Sequence, residues 1–153
     1  MHVEIVQANV TDAAEILALQ KLAYQSEAIL YDDWSIPPLK QTLSEIEEEF
    51  FHKTFLKAHG FVMIVGSVRA AVDGGTCSIG RLIVHPEYQR KGIGTQLMSA
   101  IEERFPSALR IELFTGEKSE GNIRLYERLG YRTFRTERVS PKVVTVFMDK
   151  RRP

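Results

Sequence analysis

The chain has one cysteine, Cys77, in 153 residues. One thiol cannot make an internal disulfide, and no Cys/His spacing around it matches a metal site. A reducing, cytoplasmic setting is therefore expected, with a fold that stands on its core alone. The chain is long enough for that. Excess charge is also missing, because Lys+Arg and Asp+Glu both number 20. That balance argues against bulk electrostatic binding to nucleic acid or to an anionic membrane, while leaving room for a local basic pocket. Long apolar runs are missing too. The longest apolar-leaning stretch, Phe61–Val72, is interrupted by Gly66, Ser67 and Arg69, so it is too short and polar to span a bilayer. Met1–Asp12 holds no apolar run of signal-peptide length. Repeats, linkers and low-complexity segments are absent, so residues 1–153 read as a single domain.

Hydrophobic residues make up 44% and charged residues 26%, a globular composition. Met1–Val10 alternates loosely, as a strand does. Asp12 followed by Glu15 marks a helix start, and Ile16, Leu19, Leu22 and Ala23 continue at helical spacing over about Ala13–Ser26. Ile29–Pro38 reads as a loop carrying Tyr31, Asp32, Asp33 and Trp34. A second helix is expected from Leu39 to about Phe50, its acidic run a solvated face. Thr54–Ala58, Phe61–Val72 and Thr76–Val84 read as strands joined by glycine-containing hairpin turns. After the turn His85–Gly94, an apolar stripe of Ile93, Leu97, Met98, Ile101 and Phe105 predicts a helix, and Leu109–Leu113 a strand. Ser119 is placed to cap a helix burying Ile123, Tyr126 and Leu129, with Gly130 as its stop. Tyr131–Val139 and Lys142–Asp149 close the chain as a hairpin. The order β α α β β β α β α β β defines an α/β (α+β) layered fold.

Chemistry concentrates in the strand, turn and helix opening of residues 76–95. The first amides of a helix lack internal partners, and with the helix dipole they form an anion site. Gly92 and Gly94 carry no Cβ, so a phosphate could approach the backbone there, and Arg90 and Lys91 add positive charge. A glycine pair by itself makes no more than a tight helix entry. A nucleotide P-loop needs Gly-Lys-Ser/Thr in that order, but Lys91 precedes Gly92. A dinucleotide fingerprint needs a third spaced glycine, which is missing.

Gln89-x-x-Gly92-x-Gly94, following the strand end Leu82-Ile83-Val84-His85-Pro86, resembles the acyl-CoA-binding motif of the GCN5-related N-acetyltransferases (GNAT). A second match follows in Asn122-x-x-x-Tyr126-x-x-x-Gly130-Tyr131. The resemblance runs in order from Val3 to Asp149 and is weakest over Ile29–Phe55. It implies a mixed, mostly antiparallel sheet of about seven strands with about four helices, in which a splayed parallel strand pair forms the acyl-CoA cleft. The splayed pair would be Thr76–Val84 and Leu109–Thr115. By similarity, Leu82, Ile83 and Val84 would line the pantetheine arm of acetyl-CoA. The amides of Gln89, Arg90, Lys91, Gly92, Ile93, Gly94 and Thr95 would hold the pyrophosphate, with Asn122 beside the arm. No metal is implied.

The resemblance also makes Tyr126 the general acid that protonates the departing thiolate. A phenol with an ordinary pKa of about 10 keeps its proton at neutral pH. Without the resemblance, Tyr126 reads as a core aromatic between Ile123 and Leu129. The reaction would be direct transfer of acetyl to a primary amine on a small molecule or peptide. The amine must lose a proton, and the sequence does not name the base. Glu112, His85, Glu47 and Glu48 are the candidates, while Cys77 reads as a buried strand residue rather than a nucleophile. Tyr31 and Trp34 would wall the acceptor, with Glu112 and Phe114 on the central strand; Trp34 reads equally well as packing the loop onto the core. The alternative activity is a non-catalytic acetyl-CoA-binding or sensing module of the same fold. Family homodimers are frequent, and the final hairpin would be the element to mediate one.

Overall fold

A computed structural model describes residues 2–153. Its centre is a seven-stranded sheet in the order β1-β2-β3-β4-β5-β7-β6. The strands are β1 (Glu4–Gln7), β2 (Thr54–His59), β3 (Ile64–Asp73), β4 (Thr76–Val84), β5 (Arg110–Gly116), β6 (Arg132–Ser140) and β7 (Val143–Arg151). Every neighbouring pair is antiparallel except β4 and β5, which run parallel. This is the mixed sheet expected from the sequence, and its resemblance to GNAT folds holds at the level of topology.

The helical half is more divided than the sequence suggested. The described residues form six α-helices: α1 (Ala13–Ala23), α2 (Gln25–Tyr31), α3 (Pro37–Lys40), α4 (Leu43–Glu49), α5 (Ile93–Glu103) and α6 (Glu120–Arg128). The expected loop from Ile29 begins inside α2. Ala28 and Tyr31 are spaced to bury one face of that helix, and Asp32 ends it in the left-handed region at φ 51°. The expected helix from Leu39 splits in two. Gln41 is extended there, and Thr42 starts α4 with a reciprocal box to Glu45.

The first cap also moves. Asn9, not Asp12, accepts the helix-entry amide, while Asp12 returns a bond to Asn9 and pairs with Lys57 at 3.0 Å. Glu15 accepts the Ile64 amide at 2.8 Å.

The sheet buries both faces, as its alternation requires. On β2, Phe55 faces α1 and α4 with Ile16, Leu19 and Ile46. Leu56 and Ala58 face the other way, toward α5 with Leu97, Met98 and Ile101. Cys77 belongs to this second layer and is fully buried, and burial pushes its thiol up to about 11. A thiol so held carries almost no thiolate at neutral pH, which fits a packing residue.

Candidate active-site cleft

β4 and β5 pair only through Thr76, Cys77 and Ser78, opposite Arg110, Ile111 and Glu112. Past Ser78 the two strands part. β5 stays paired to β7 along its whole length. β4 stays paired to β3 through a bulge where Ser67 and Arg69 oppose Ile83 and Gly80. An extra residue in one strand bends it and strengthens its twist. Arg81, at the bulge, sits in the left-handed region at φ 50°. The strands therefore open a wedge in mid-sheet.

Two cavities fill that wedge. The first is about 430 Å³ and lies against the β4–α5 turn. Leu82, Ile83, Val84, Gln89, Arg90, Gly92, Ile93, Gly94, Thr95 and Asn122 all line it. Lys91 does not, and its side chain points to solvent. Arg90 (φ 62°) and Gly92 (φ 80°) both occupy the left-handed region, which turns the chain into α5. Gly92 is the N-cap residue of α5, and a Cβ there would meet open space, so backbone conformation is what demands glycine. Gly94 differs: a Cβ there would touch Leu125 at 3.5 Å in ordinary contact. The first helical bond of α5 runs from the Gln96 amide to the Gly92 carbonyl at 3.0 Å. The earlier amides of the helix thus face the cavity mouth without a helical partner.

The motif reading missed part of this wall. Arg124 and Arg128 of α6 line it with Arg90, against one acid, Glu27. Their signal was visible as arginines flanking Tyr126 at helical spacing, but only the fold brings them beside the turn. Three guanidiniums and a helix N-terminus give this cleft a cationic wall of the kind that suits an anion.

The second cavity is about 380 Å³ and mostly apolar and aromatic. Tyr24, Glu27, Leu82 and Asn122 line both cavities and mark where they meet. Tyr126 lines the second one. Its ring packs in the core 6.1 Å from the Tyr131 ring. Burial raises its pKa well above the ordinary value, with the charges of Glu27 and the neighbouring Tyr24 hydroxyl adding to the effect. Among the described residues its hydroxyl has no protein hydrogen-bond partner. Asn122 donates to the Thr115 hydroxyl at 3.3 Å.

The acceptor candidates separate. Tyr31 and Phe114 line the second cavity. Tyr31 is buried, with its hydroxyl 2.9 Å from the Ser119 hydroxyl and accepting the Lys118 amide at 2.9 Å. Burial raises its pKa against those bonds. Trp34 lines neither cavity and is 56% exposed, so it neither walls the cleft nor packs into the core. Glu112 also stands outside: it pairs with Arg110 at 2.7 Å and accepts from Ser78 at 3.2 Å.

The remaining base candidates are placed elsewhere. His85 caps its own turn by accepting the Glu87 amide. Glu48 pairs with His52 at 3.2 Å, and neither Glu47 nor Glu48 reaches a cavity. The acid at the junction is Glu27, which accepts the Ser119 hydroxyl at 2.7 Å. The sequence hid it between an expected helix end and an expected loop. Ser119, read as a helix cap, makes no cap bond and instead joins Tyr31 to Glu27.

Among the described residues no group of His, Cys, Asp and Glu could hold a metal ion, and no helix is long and apolar enough to cross a membrane.

This cleft, on this sheet, defines a class, and comparison with known proteins identifies it. The model of the Acetyltransferase (GNAT) family matches residues 16–131. The UPF0157 protein YqkA of Bacillus subtilis is 30% identical over 126 residues, which cover 82% of this chain and 36% of that protein. The chain thus spans about a third of the length of that relative. An acetyltransferase of Yersinia enterocolitica is 27% identical over 78% of this chain and 88% of its own length. Among solved structures, the PaiA N-acetyltransferase of Thermoplasma acidophilum, in complex with coenzyme A, superposes with a TM-score of 0.82. It is 17% identical and covers 99% of this chain and 100% of its own. The yncA structure from Salmonella typhimurium, with its cofactor acetyl-CoA, gives 0.75 at 18% identity, covering 99% and 94%. The chain belongs to the acetyltransferase (GNAT) family and is an acyltransferase by that membership.

Proposed function

We propose that the chain transfers the acetyl group of acetyl-CoA directly to a primary amine. One observation carries the reading: the parting of β4 from β5 opens a cationic cleft and an apolar cavity that share a wall of Tyr24, Glu27, Leu82 and Asn122. A two-substrate transfer needs two sites meeting at the reacting atoms. The residues fit the coenzyme. Arg90, Arg124, Arg128 and the opening amides of α5 suit its phosphates. The unpaired inner edge of β4 suits the amides of its pantetheine arm.

Bound acetyl-CoA supplies the acetyl group as a thioester, whose carbonyl carbon bonds to the amine nitrogen while the C–S bond breaks and leaves its electron pair on sulfur. Glu27 sits at the junction as the acceptor of the proton the amine loses. An alkylammonium, with a pKa of about 10.4, needs such an acceptor to react near neutral pH. Tyr126 holds its proton across the neutral range and donates it to the leaving sulfur. Burial raises its pKa, and the same burial makes a thiolate beside it more basic, so the leaving sulfur takes the proton more readily than it would in water. From the alkylammonium, nitrogen gives up two protons: one passes to Glu27 and on to solvent, and the other restores the proton that Tyr126 gives to sulfur, so the products are the amide, CoA thiol and one released proton.

Calorimetric titration with acetyl-CoA, followed by an amine panel that reads released CoA thiol, tests this. Binding with turnover is the expected result. Binding without turnover of any amine would favour the sensing module, and no binding would overturn the reading.

A further inference from the structure

The second cavity has two charged residues in its wall, Glu27 and Arg81; the rest is apolar, aromatic or neutral polar. Glu27 also reaches the coenzyme cleft, whereas Arg81 lines the second cavity alone. Arg81 has no carboxylate within ion-pair distance among the described residues. Its guanidinium lies beside the Tyr24 hydroxyl, and its charge is felt by Arg69, which is buried on the neighbouring strand β3. A cavity that takes a simple cationic amine needs a surplus of acids. This one has one acid, matched by a cation whose charge no protein group neutralises.

The backbone under Arg81 points the same way. A non-glycine residue in the left-handed region is strained. Arg81 bears that strain at the bulge, and bulges near sites re-aim side chains. Ile36, Pro37, Phe114 and Phe147 give the same cavity an apolar stretch of wall.

We propose that the acceptor is a free α-amino acid with an apolar side chain. This rests on the acetyltransferase reading above and names its substrate class. An α-amino acid carries three groups on one carbon, and the cavity offers three matching surfaces. Its amine meets Glu27 at the junction with the coenzyme cleft, its carboxylate meets Arg81, and its side chain meets the apolar wall. A guanidinium binds a carboxylate with two parallel hydrogen bonds. The transfer yields an N-acetyl amino acid and free CoA thiol, with the amine proton passing to Glu27.

The test uses the whole chain with acetyl-CoA, reading thiol release and product mass. Phenylalanine and leucine are compared with phenethylamine and isoamylamine, which lack only the carboxylate, and with dipeptides that start with the same residues. The free amino acids are expected to show a kcat/KM higher than the bare amines by roughly tenfold or more, the scale of one charged hydrogen-bonded contact. Arg81→Asn keeps a residue tolerant of the left-handed region and is expected to collapse that ratio toward one through KM. Acetyl-CoA affinity, measured calorimetrically, reports that the variant is folded. Equal or better use of the bare amines or the dipeptides overturns the amino-acid inference alone, as does an unchanged ratio in Arg81→Asn. Failure to bind acetyl-CoA overturns the acetyltransferase reading beneath it.

Discussion

The hydroxyls of Tyr31 and Ser119, 88 residues apart in sequence, meet 2.9 Å apart inside the protein. Ser119 then donates to Glu27 at 2.7 Å. Tyr31 also accepts the Lys118 amide, and a Cβ on Gly116 would lie 1.9 Å from its hydroxyl oxygen, so that glycine makes the approach possible. This chain of hydroxyls ties α2 to the start of α6 and fixes the Glu27 carboxylate at the cavity junction. Ser119→Ala removes the middle link. It should lower stability by about 1–3 kcal/mol, the cost of leaving buried polar partners unmet. It should also lower kcat/KM about tenfold by releasing Glu27, whereas acetyl-CoA affinity stays close to that of the unaltered chain. Urea unfolding and steady-state kinetics read the two effects separately.

Tyr126→Phe keeps the ring in the core and deletes the hydroxyl. If that hydroxyl protonates the leaving sulfur, kcat falls by roughly 10²-fold, the low end for a positioned acid, with little change in coenzyme affinity. The pH profile has a sign. Burial raises the Tyr126 pKa, so the acid form persists past its ordinary value near 10. Activity should therefore climb from about pH 6 to 9 as the amine deprotonates, with no alkaline fall from Tyr126 in that range. An equal kcat for Tyr126→Phe across it would remove the residue from the mechanism.

Much of the cleft was legible in the sequence because it is local. Gln89, Gly92 and Gly94 lie on one turn, and Asn122 and Tyr126 on one helix, so spacing groups each set, and the family resemblance is what assigned both sets to one cleft. Glu27, Arg81, Arg124 and Arg128 were not legible, because their role depends on which elements meet. Glu27 matters only once α2 lies over the splayed strands, and Arg81 only because a bulge turns it. Trp34 misled for the opposite reason: the resemblance put it on the acceptor wall and the plainer alternative packed it onto the core, but α2 ends at Asp32 and Trp34 is left in solvent. Glu112 shares its face of β5 with the cavity-lining Phe114, but it lies where β5 is still paired to β4 and is tied to Arg110.

Gly92→Asp tests the turn. At φ 80° any side chain strains the backbone, and a carboxylate there would repel phosphate from the α5 amides. Acetyl-CoA affinity should drop by about tenfold or more, roughly 1.4 kcal/mol, with a cost of about 1–2 kcal/mol to folding. Gly92→Ala separates the two, since it carries the strain without the charge. Calorimetry showing Gly92→Asp and Gly92→Ala equally weak would assign the whole effect to backbone rather than to repulsion.

Arg69 and Glu49 test the packing beneath the cleft. The guanidinium of Arg69 is 1% exposed and lies over the Phe55 ring. It bonds Glu49 at 3.0 Å and Gln20 at 2.6 Å. Burial pushes its pKa down to about 10, against the opposing charge of Glu49. Burial also works to raise the Glu49 carboxyl, but bonds from Lys53 and Gln41 and the charge of Arg69 outweigh it and leave the pKa lowered. A carboxyl lowered on folding stabilises above its unfolded pKa, near 4.3 for Glu. That stability is lost as pH falls through the folded value, so the pair acts at neutral pH and fails in acid. Glu49→Ala strands a buried cation and should cost about 3–5 kcal/mol at pH 7. Arg69→Met in the same chain removes the stranded charge and should recover much of that loss, because an apolar side chain of similar length fills the site without desolvating an ion. Urea midpoints of the single and double variants at pH 7 and near pH 3.5 measure this. The deficit of Glu49→Ala should shrink as pH falls below the unfolded pKa, where the unaltered chain begins to lose the stability of the same contact. A deficit that stays constant with pH would mean that Glu49 acts by packing and not by charge.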